Sequence, residues 1–293
     1  MCLNHAFAEN GYCLKIENNY KLKKVIVIYN FFTKDAENKI LNNKNKIIIK
    51  ENSEAHIIEY TIIKSKFKFI NNSYENVILD KNSKFRNLYL QNNKSDGFFH
   101  KFLENKLSVN SDYSNLIFSS GLKFNKLDII CDLVGENAKC NILSGLFLSK
   151  DEHQEIKTRI NHLFPNCKSY QKVKKVLSSK SKGIFQGKIF VKDIAQKTDA
   201  YQLSKALLLD DNAEFNSKPE LEIYADDVKC SHGSTSGSID EDSLHYLMTR
   251  GLSRRKSANL LIKGFLNDVV EFIKSSPIKK FVEDKLEEQI NGH

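Results

Sequence analysis

Two side chains near the end of this sequence have the types and spacing for metal or redox chemistry. Cys230 and His232 stand two residues apart in the run Leu221-Glu-Ile-Tyr-Ala-Asp-Asp-Val-Lys-Cys-Ser-His-Gly-Ser-Thr-Ser-Gly-Ser-Ile-Asp240. On a strand, positions i and i+2 point to one face, so both could serve one ion or one redox event. A thiolate and a neutral imidazole suit soft or borderline metals, including iron bound to sulfide. Two ligands do not complete a tetrahedral site; the rest would come from elsewhere in the chain or from a partner. The bland alternative is a buried cysteine and a hydrogen-bonded histidine at a corner. Residue types alone favour that alternative.

Other candidates are weaker. Asp226 and Asp227 could be a catalytic carboxylate pair, but adjacent strand residues face opposite sides, and a solvated turn fits better. Ser231, Ser234 and Ser236 with His232 and Asp227 have the types for a nucleophilic triad. No G-x-S-x-G elbow between strand and helix supports it. The run Gly183-Ile-Phe-Gln-Gly-Lys188 lacks the spacing and the following Ser or Thr of a phosphate loop. Any ATP hydrolysis tied to this protein is therefore expected on another subunit. The run Gly233-Ser-Thr-Ser-Gly237 could form an anion-binding nest, though a flexible turn is the simpler reading.

Composition narrows the class. At 293 residues the chain has room for a sizeable core, in one large domain or two smaller ones. The net charge of +9 invites a nucleic-acid reading. The lysines are instead dispersed among asparagines, with no Arg-rich helix, and no nucleic-acid partner is expected. Six cysteines (Cys2, Cys13, Cys131, Cys140, Cys167 and Cys230) are too sparse for a disulfide framework and form no C-x-x-C pair. Most read as buried small hydrophobes. No secretory signal and no apolar run of about 18 residues is seen, so no membrane span and a cytoplasmic location are expected.

The elements that must carry Cys230 and His232 are short and β-type. Runs at residues 25–29, 47–49, 56–63, 66–70, 76–79, 87–90, 115–118 and 127–130 are rich in Ile, Val, Leu and Phe. Ile47, Ile57, Phe67 and Val77 mark starts ten residues apart. Such strands fit a sandwich, a barrel or the rungs of a β-solenoid. With three prolines and twelve glycines, tight hairpins are disfavoured, and a solenoid with broad, Asn-lined corners fits better. Residues 96–107 read as strand or brief helix. Residues 150–163 have helical composition but sit where the strand pattern continues, and strand is expected.

Near residue 238 the period changes. Ser238 and Glu241 have capping-box spacing, and a short helix through Leu244, Leu247 and Met248 should end at Gly251 as a left-handed cap. Ser253 should cap a second helix, with Ala258, Ile262, Phe265, Val269, Phe272 and Ile273 on one face and Pro277 closing it. A last amphipathic segment at residues 278–290 places Phe281, Val282 and Leu286 on one side. Its stripe could pack on the end of the β body or face a partner. The expected division is a β core over residues 1–237 and a helical region over residues 238–293.

Residues 188–272 carry a family resemblance. The run Lys197-Thr-Asp-Ala-Tyr-Gln-Leu-Ser-Lys-Ala-Leu-Leu-Leu209, the Cys-Ser-His-Gly motif, Tyr246-Leu-Met-Thr-Arg-Gly-Leu252 and Gly264-Phe265 resemble the SufB/SufD family of SUF iron–sulfur cluster assembly scaffolds. The Cys-Ser-His-Gly form resembles the SufD branch; the SufB branch reads His-Glu-Ala there and has a cysteine where Ala206 stands. Residues 4–11 resemble the entry into that family's β core. The resemblance implies a right-handed parallel β-helix followed by C-terminal helices. It implies a non-enzymatic scaffold that pairs with a SufB-like subunit and docks a SufC-like ATPase through its helical region. Tyr246, Arg250, Gly251, Gly264 and Phe265 match that docking region. His232 matches a functionally important histidine at the heterodimer interface, as a ligand or proton-handling residue, which turns the preference above; Cys230 matches a family cysteine nearby. Any iron–sulfur cluster would be transient and shared, and ATP would bind the partner alone. Members usually carry an N-terminal helical region before the β core, expected to be missing from this sequence. The alternatives are a homodimeric scaffold, or a β-helix protein that binds or cleaves polysaccharide.

Overall fold

The computed structural model describes residues 2–64 and 66–291. Met1, Gly292 and His293, at the ends of the two expected regions, lie outside the described residues. Among the described residues, a short helix α1 (Cys2–Phe7) leads into sixteen strands in two parallel sheets. One sheet stacks β1 (Cys13–Ile16), β3 (Ile40–Ile49), β5 (Ile70–Leu79), β7 (Ser95–Leu107), β9 (Leu122–Leu133), β11 (His153–His162), β13 (Lys182–Val191) and β15 (Glu214–Ile223). The other stacks β2 (Ile26–Phe32), β4 (Glu54–Ile63), β6 (Lys84–Gln91), β8 (Asp112–Ser119), β10 (Lys139–Leu148), β12 (Lys168–Leu177), β14 (Asp199–Leu208) and β16 (Lys229–Gly237). Strands alternate between the sheets in chain order, so each strand pairs with the next but one. This is a parallel β-solenoid with eight strands in each wall.

The ten-residue spacing is a fraction of the true repeat. Ile47 pairs with Val77, thirty residues on, and Ile57 pairs with Asn87. Phe67, in the same ten-residue series, lies outside any strand, packed with Phe32, Phe69 and Phe99 at a corner. Residues 66–69 are therefore corner rather than strand, and β5 begins at Ile70. Residues 96–107 fall within β7, and 153–162 form β11, as strands.

Asparagine builds the other corner. Asn19, Asn52, Asn82, Asn110, Asn137 and Asn166 all have φ between 55° and 61°. Asparagine tolerates this left-handed region better than other residues with a side chain. Their amides also form a ladder: Asn52 donates to Asn19 at 3.1 Å, Asn82 to Asn52 at 2.9 Å and Asn110 to Asn82 at 2.9 Å. Each rung thus fixes the next at its turn.

Inside the coil, apolar columns run along the axis. Ile49, Leu79, Leu107 and Leu133 stack in register. Cys131, Cys140 and Cys167 are buried among such columns, whereas Cys2 and Cys13 are exposed. Outside, lysines meet carboxylates on the neighbouring rung, as in Lys50–Asp80, Lys126–Glu155 and Lys182–Glu214. The basic surface is compensated locally.

Three helices follow: α2 (Glu241–Thr249), α3 (Arg254–Val270) and α4 (Ser276–Asn291). The N-cap of α2 is Asp240, which accepts from the Ser243 N–H at 2.9 Å, rather than Ser238. Asp240 is the residue directly before the first helical turn, and its carboxylate reaches that N–H where Ser238 is still extended chain. Gly251 has φ 91° and donates to Met248, the expected left-handed end. Ser253 caps α3. That helix ends at Val270, and Pro277 opens α4 instead of closing α3. Proline suits the first turn of a helix, where its missing N–H would have no partner.

Helices α3 and α4 lie along the side of the solenoid. Ile262, Leu266, Val269 and Val270 of α3 and Val282, Leu286 and Ile290 of α4 pack on Leu88, Leu116, Leu143 and Phe147. Lys174 fastens the contact, donating to the Phe265 carbonyl at 2.7 Å and pairing with Asp268 at 2.6 Å. The sheet of β4 to β12 is therefore buried on both faces. No helix among the described residues is long and apolar enough to cross a membrane.

Candidate functional site at the open end of the solenoid

β15 and β16 are the last strands of their sheets and each pairs on one side only. Register fixes which side chains face inward. Buried Ala200, Gln202, Ser204 and Ala206 of β14 stand under Cys230, His232, Ser234 and Ser236 of β16. Among the described residues no strand covers the latter four, so His232, Ser234 and Ser236 are exposed and Cys230 is half-buried. On the facing wall, Phe215, Ser217, Pro219, Leu221 and Ile223 continue the inward columns of β13. The mouth thus has one polar wall bearing the thiol and imidazole, and one mostly apolar wall. Pro219, which lacks an N–H, is tolerated on such an edge strand.

A polar column supports the histidine from below. Gln171, Gln202 and His232 are in register on β12, β14 and β16. Thr158 donates to Gln171 at 2.5 Å, Gln171 to Gln202 at 3.3 Å, and Gln202 to the Gly187 carbonyl at 3.2 Å. Gly187 leaves the room: a Cβ there would lie 2.6 Å from Gln202 Oε1. Beside this column Ser204 bonds Ser234 at 3.0 Å and Ser217 at 2.7 Å, joining the two walls.

Cys230 packs against Ile189, Val191, Ala195, Ala200 and Ala225. Burial raises its thiol above the usual range, against a lowering hydrogen bond from the Ala200 backbone; Asp199 adds to the rise. At neutral pH the isolated chain therefore holds Cys230 as a thiol. Among the described residues no group of three or more His, Cys, Asp or Glu side chains is placed to hold a metal ion. Cys230 and His232 can supply two ligands from one face, and a complete set needs groups from outside.

The remaining candidates separate. Asp226 and Asp227 lie in the bend between β15 and β16, and Asp227 takes part through its backbone, with Gln196 and Lys197. Gly233-Ser-Thr-Ser-Gly237 is strand, not a nest. Gly183 and Gly187 lie inside β13, and Lys188 pairs outward with Glu222. Tyr246 on α2 and Arg250, which caps its C-terminus, are exposed and stack on one another, 5.2 Å from guanidinium to ring centre. Gly264 is exposed on α3 with open space where a Cβ would stand. Phe265 is turned to the solenoid, with the Lys174 ammonium 4.5 Å from its ring centre.

Sequence reading missed Gln171 and Gln202. A signal exists: Ser169-Tyr-Gln, Ala200-Tyr-Gln and Cys230-Ser-His recur at the rung spacing, and Tyr170 and Tyr201 stack at 5.5 Å.

The chain is thus a parallel solenoid whose last strand carries a thiol and an imidazole on one uncovered face. The chain belongs to the family described as SUF system FeS cluster assembly, SufBD core domain, which matches residues 31–265. Within that family it is SufD-like. It is 29% identical to the iron-sulfur cluster assembly protein SufD of Escherichia coli (strain K12) over 254 residues, 85% of this chain and 59% of that protein. It is 28% identical to the chloroplastic protein ABCI7 of Arabidopsis thaliana over 284 residues, 95% of this chain and 57% of that protein. A SufBD family protein of Pyrococcus horikoshii is 29% identical over 240 residues, 82% of this chain and 53% of that protein. The chain spans a little over half the length of these relatives.

Proposed function

We propose that this chain is a scaffold subunit that contributes half of an iron–sulfur assembly site at the open end of its solenoid. The observation that carries the proposal is the uncovered inward column of β16, with Cys230 and His232 on one face and no further rung among the described residues. The exposed edges of β15 and β16 offer backbone groups for pairing with a related solenoid. A SufB-like subunit is the partner the family supports, and the pair would enclose the two side chains and add the missing ligands. The nascent cluster is cargo, held transiently, and no resident cofactor is assigned.

The helical region is proposed as the dock for a SufC-like ATPase. The exposed Tyr246–Arg250 pair and the bare Gly264 surface support this. Glycine in a helix interior costs about 1 kcal/mol relative to alanine, and nothing within the chain requires it there. A closely approaching partner would. ATP is assigned to that partner, and this chain turns over no substrate itself. The proposed location is the cytoplasm.

The test is co-expression with the SufB-like and SufC-like proteins of the same organism, with His232→Ala in parallel. A three-component complex is expected, and cluster formation should fall at least about tenfold in the variant, the scale of losing a metal-site group. His232 is exposed, so the variant's stability should stay within about 0.5 kcal/mol of the parent. No complex, or a complex indifferent to His232, would defeat the reading; a homodimer active alone would replace it.

A further inference from the structure

The seat of the helices on the sheet is not filled everywhere. Where the chain passes from α3 to α4, residues 272–275 stand over β4, β6 and β8, and a cavity of about 330 Å³ opens between them. Small-molecule sites span roughly 300–1,000 Å³, so the space suits one small ligand. Val25, Ile58, Leu88, Leu116, Ile273 and Ile278 form its walls, and all six belong to the apolar cluster that seats α3 and α4.

Arg86 also lines this cavity. Side chains alternate along a strand and stack in parallel register. The outward column of His56 and Arg86 therefore runs one step from the outward column of Ile58, Leu88 and Leu116. The register sets a guanidinium beside the apolar wall. Arg86 is half-buried, yet among the described residues it has no hydrogen-bond or ion-pair partner, and neither has Lys274 on the connection. The carboxylates that flank the lining residues in sequence are engaged: Glu54 with His56 at 3.1 Å and Glu271 with Lys279 at 2.6 Å.

These features converge on one ligand chemistry. Apolar walls reject a small hydrated ion, and two unanswered cations repel an amine. A single half-buried guanidinium matches one planar carboxylate, which it grips through two parallel N–H bonds. A doubly charged head would need a second fixed cation, and Lys274 is exposed. The walls are mostly aliphatic, so the body of the ligand is an alkyl chain. A partner helix would need an extended groove rather than this single concavity.

We propose that the cavity binds a free medium-chain alkyl carboxylate, its head on Arg86 with Lys274 adding charge, its chain against Ile58, Leu88, Leu116 and Ile278. The walls belong both to the sheet and to the connection between α3 and α4, so the bound acid ties one to the other. The site lies on β4, β6 and β8, whereas Cys230 and His232 are on β16, and it stands independently of the assembly reading.

Calorimetric titration of the intact chain with sodium octanoate tests this. Acetate keeps the head alone, and octylammonium keeps the chain and reverses the charge. Octanoate is expected to saturate, at least about tenfold tighter than octylammonium and at least about a hundredfold tighter than acetate. Arg86→Met keeps an unbranched apolar stem and should weaken octanoate at least about tenfold. Hydrogen exchange at residues 272–275 should slow with octanoate in the parent and not in the variant. If the variant does not fold, the three probes and the exchange pattern on the parent decide. Equal binding of octanoate and octylammonium, or octanoate binding unchanged by Arg86→Met, overturns the proposal. The absence of a saturable site also overturns it and leaves the cavity to a side chain of a partner protein. Sedimentation with phosphatidylglycerol vesicles that Arg86→Met abolishes would move the acyl chain into a bilayer and overturn the free acid as ligand.

Discussion

His232 stands directly above Gln202 in the parallel ladder, and among the described residues no strand residue stands above His232. The same inward column is thus a buried amide in one rung and an exposed ligand in the next. Its chemistry changes because the stacking stops.

The amide column should be structural in the isolated chain. Gln202→Leu keeps the volume but removes the acceptor for Gln171 and the donor to Gly187. A loss of about 1–3 kcal/mol is expected, since a buried polar group is left without its partner. Urea unfolding measures it, and an unchanged midpoint would show the column to be dispensable.

Lys174 should decide how firmly α3 is held. Lys174→Met removes its bonds to the Phe265 carbonyl and Asp268. Hydrogen exchange of α3 amides should accelerate by about tenfold, with β14 unaffected. Equal protection in both variants would mean that the apolar contacts suffice.

Lys175 gives a pH dependence of known sign. It is buried, with its ammonium 2.7 Å from the Ile184 carbonyl and 3.1 Å from that of Gln154. Burial lowers it to about 7, with Glu155 opposing. Between pH 7 and its ordinary value of 10.5 the unfolded chain binds more protons, so stability rises with pH across this window. The cost of burying the charge is fully present below about 7 and gone above about 10.5. Lys175→Met lacks this component. Its stability relative to the parent should therefore decline from pH 7 to pH 9, by at most about 1.4 kcal/mol per pH unit. Urea midpoints at pH 7, 8 and 9 test it; a constant difference would refute the burial argument.

Cys230 should react slowly while the mouth is open. Its raised thiol places the pH midpoint of alkylation above about 8.5, the value of a free cysteine. Peptide mass spectrometry after iodoacetamide treatment resolves it from exposed Cys2 and Cys13. A midpoint below that value would show a thiolate-stabilising group that the fold does not place there.

What the sequence determined by itself is local. Short apolar runs, scarce proline and glycine, and asparagines at the turns define solenoid rungs, because strand alternation and the left-handed corner are properties of a few adjacent residues. Ser253 and Gly251 are readable as caps for the same reason, and Cys230 and His232 share a face because β side chains alternate. The tertiary structure decided the rest. In a parallel solenoid every lateral contact joins residues about thirty apart, so a short window shows which side chains point inward but not what covers them. That Gln202 is sealed and His232 open depends on the rung that follows each. The seating of α3 on Lys174 and Asp268, ninety-odd residues apart, depends on which wall was left apolar. The Glu59–Lys101–Glu75 cluster likewise exists only because three separate strands point their charges into one enclosed space.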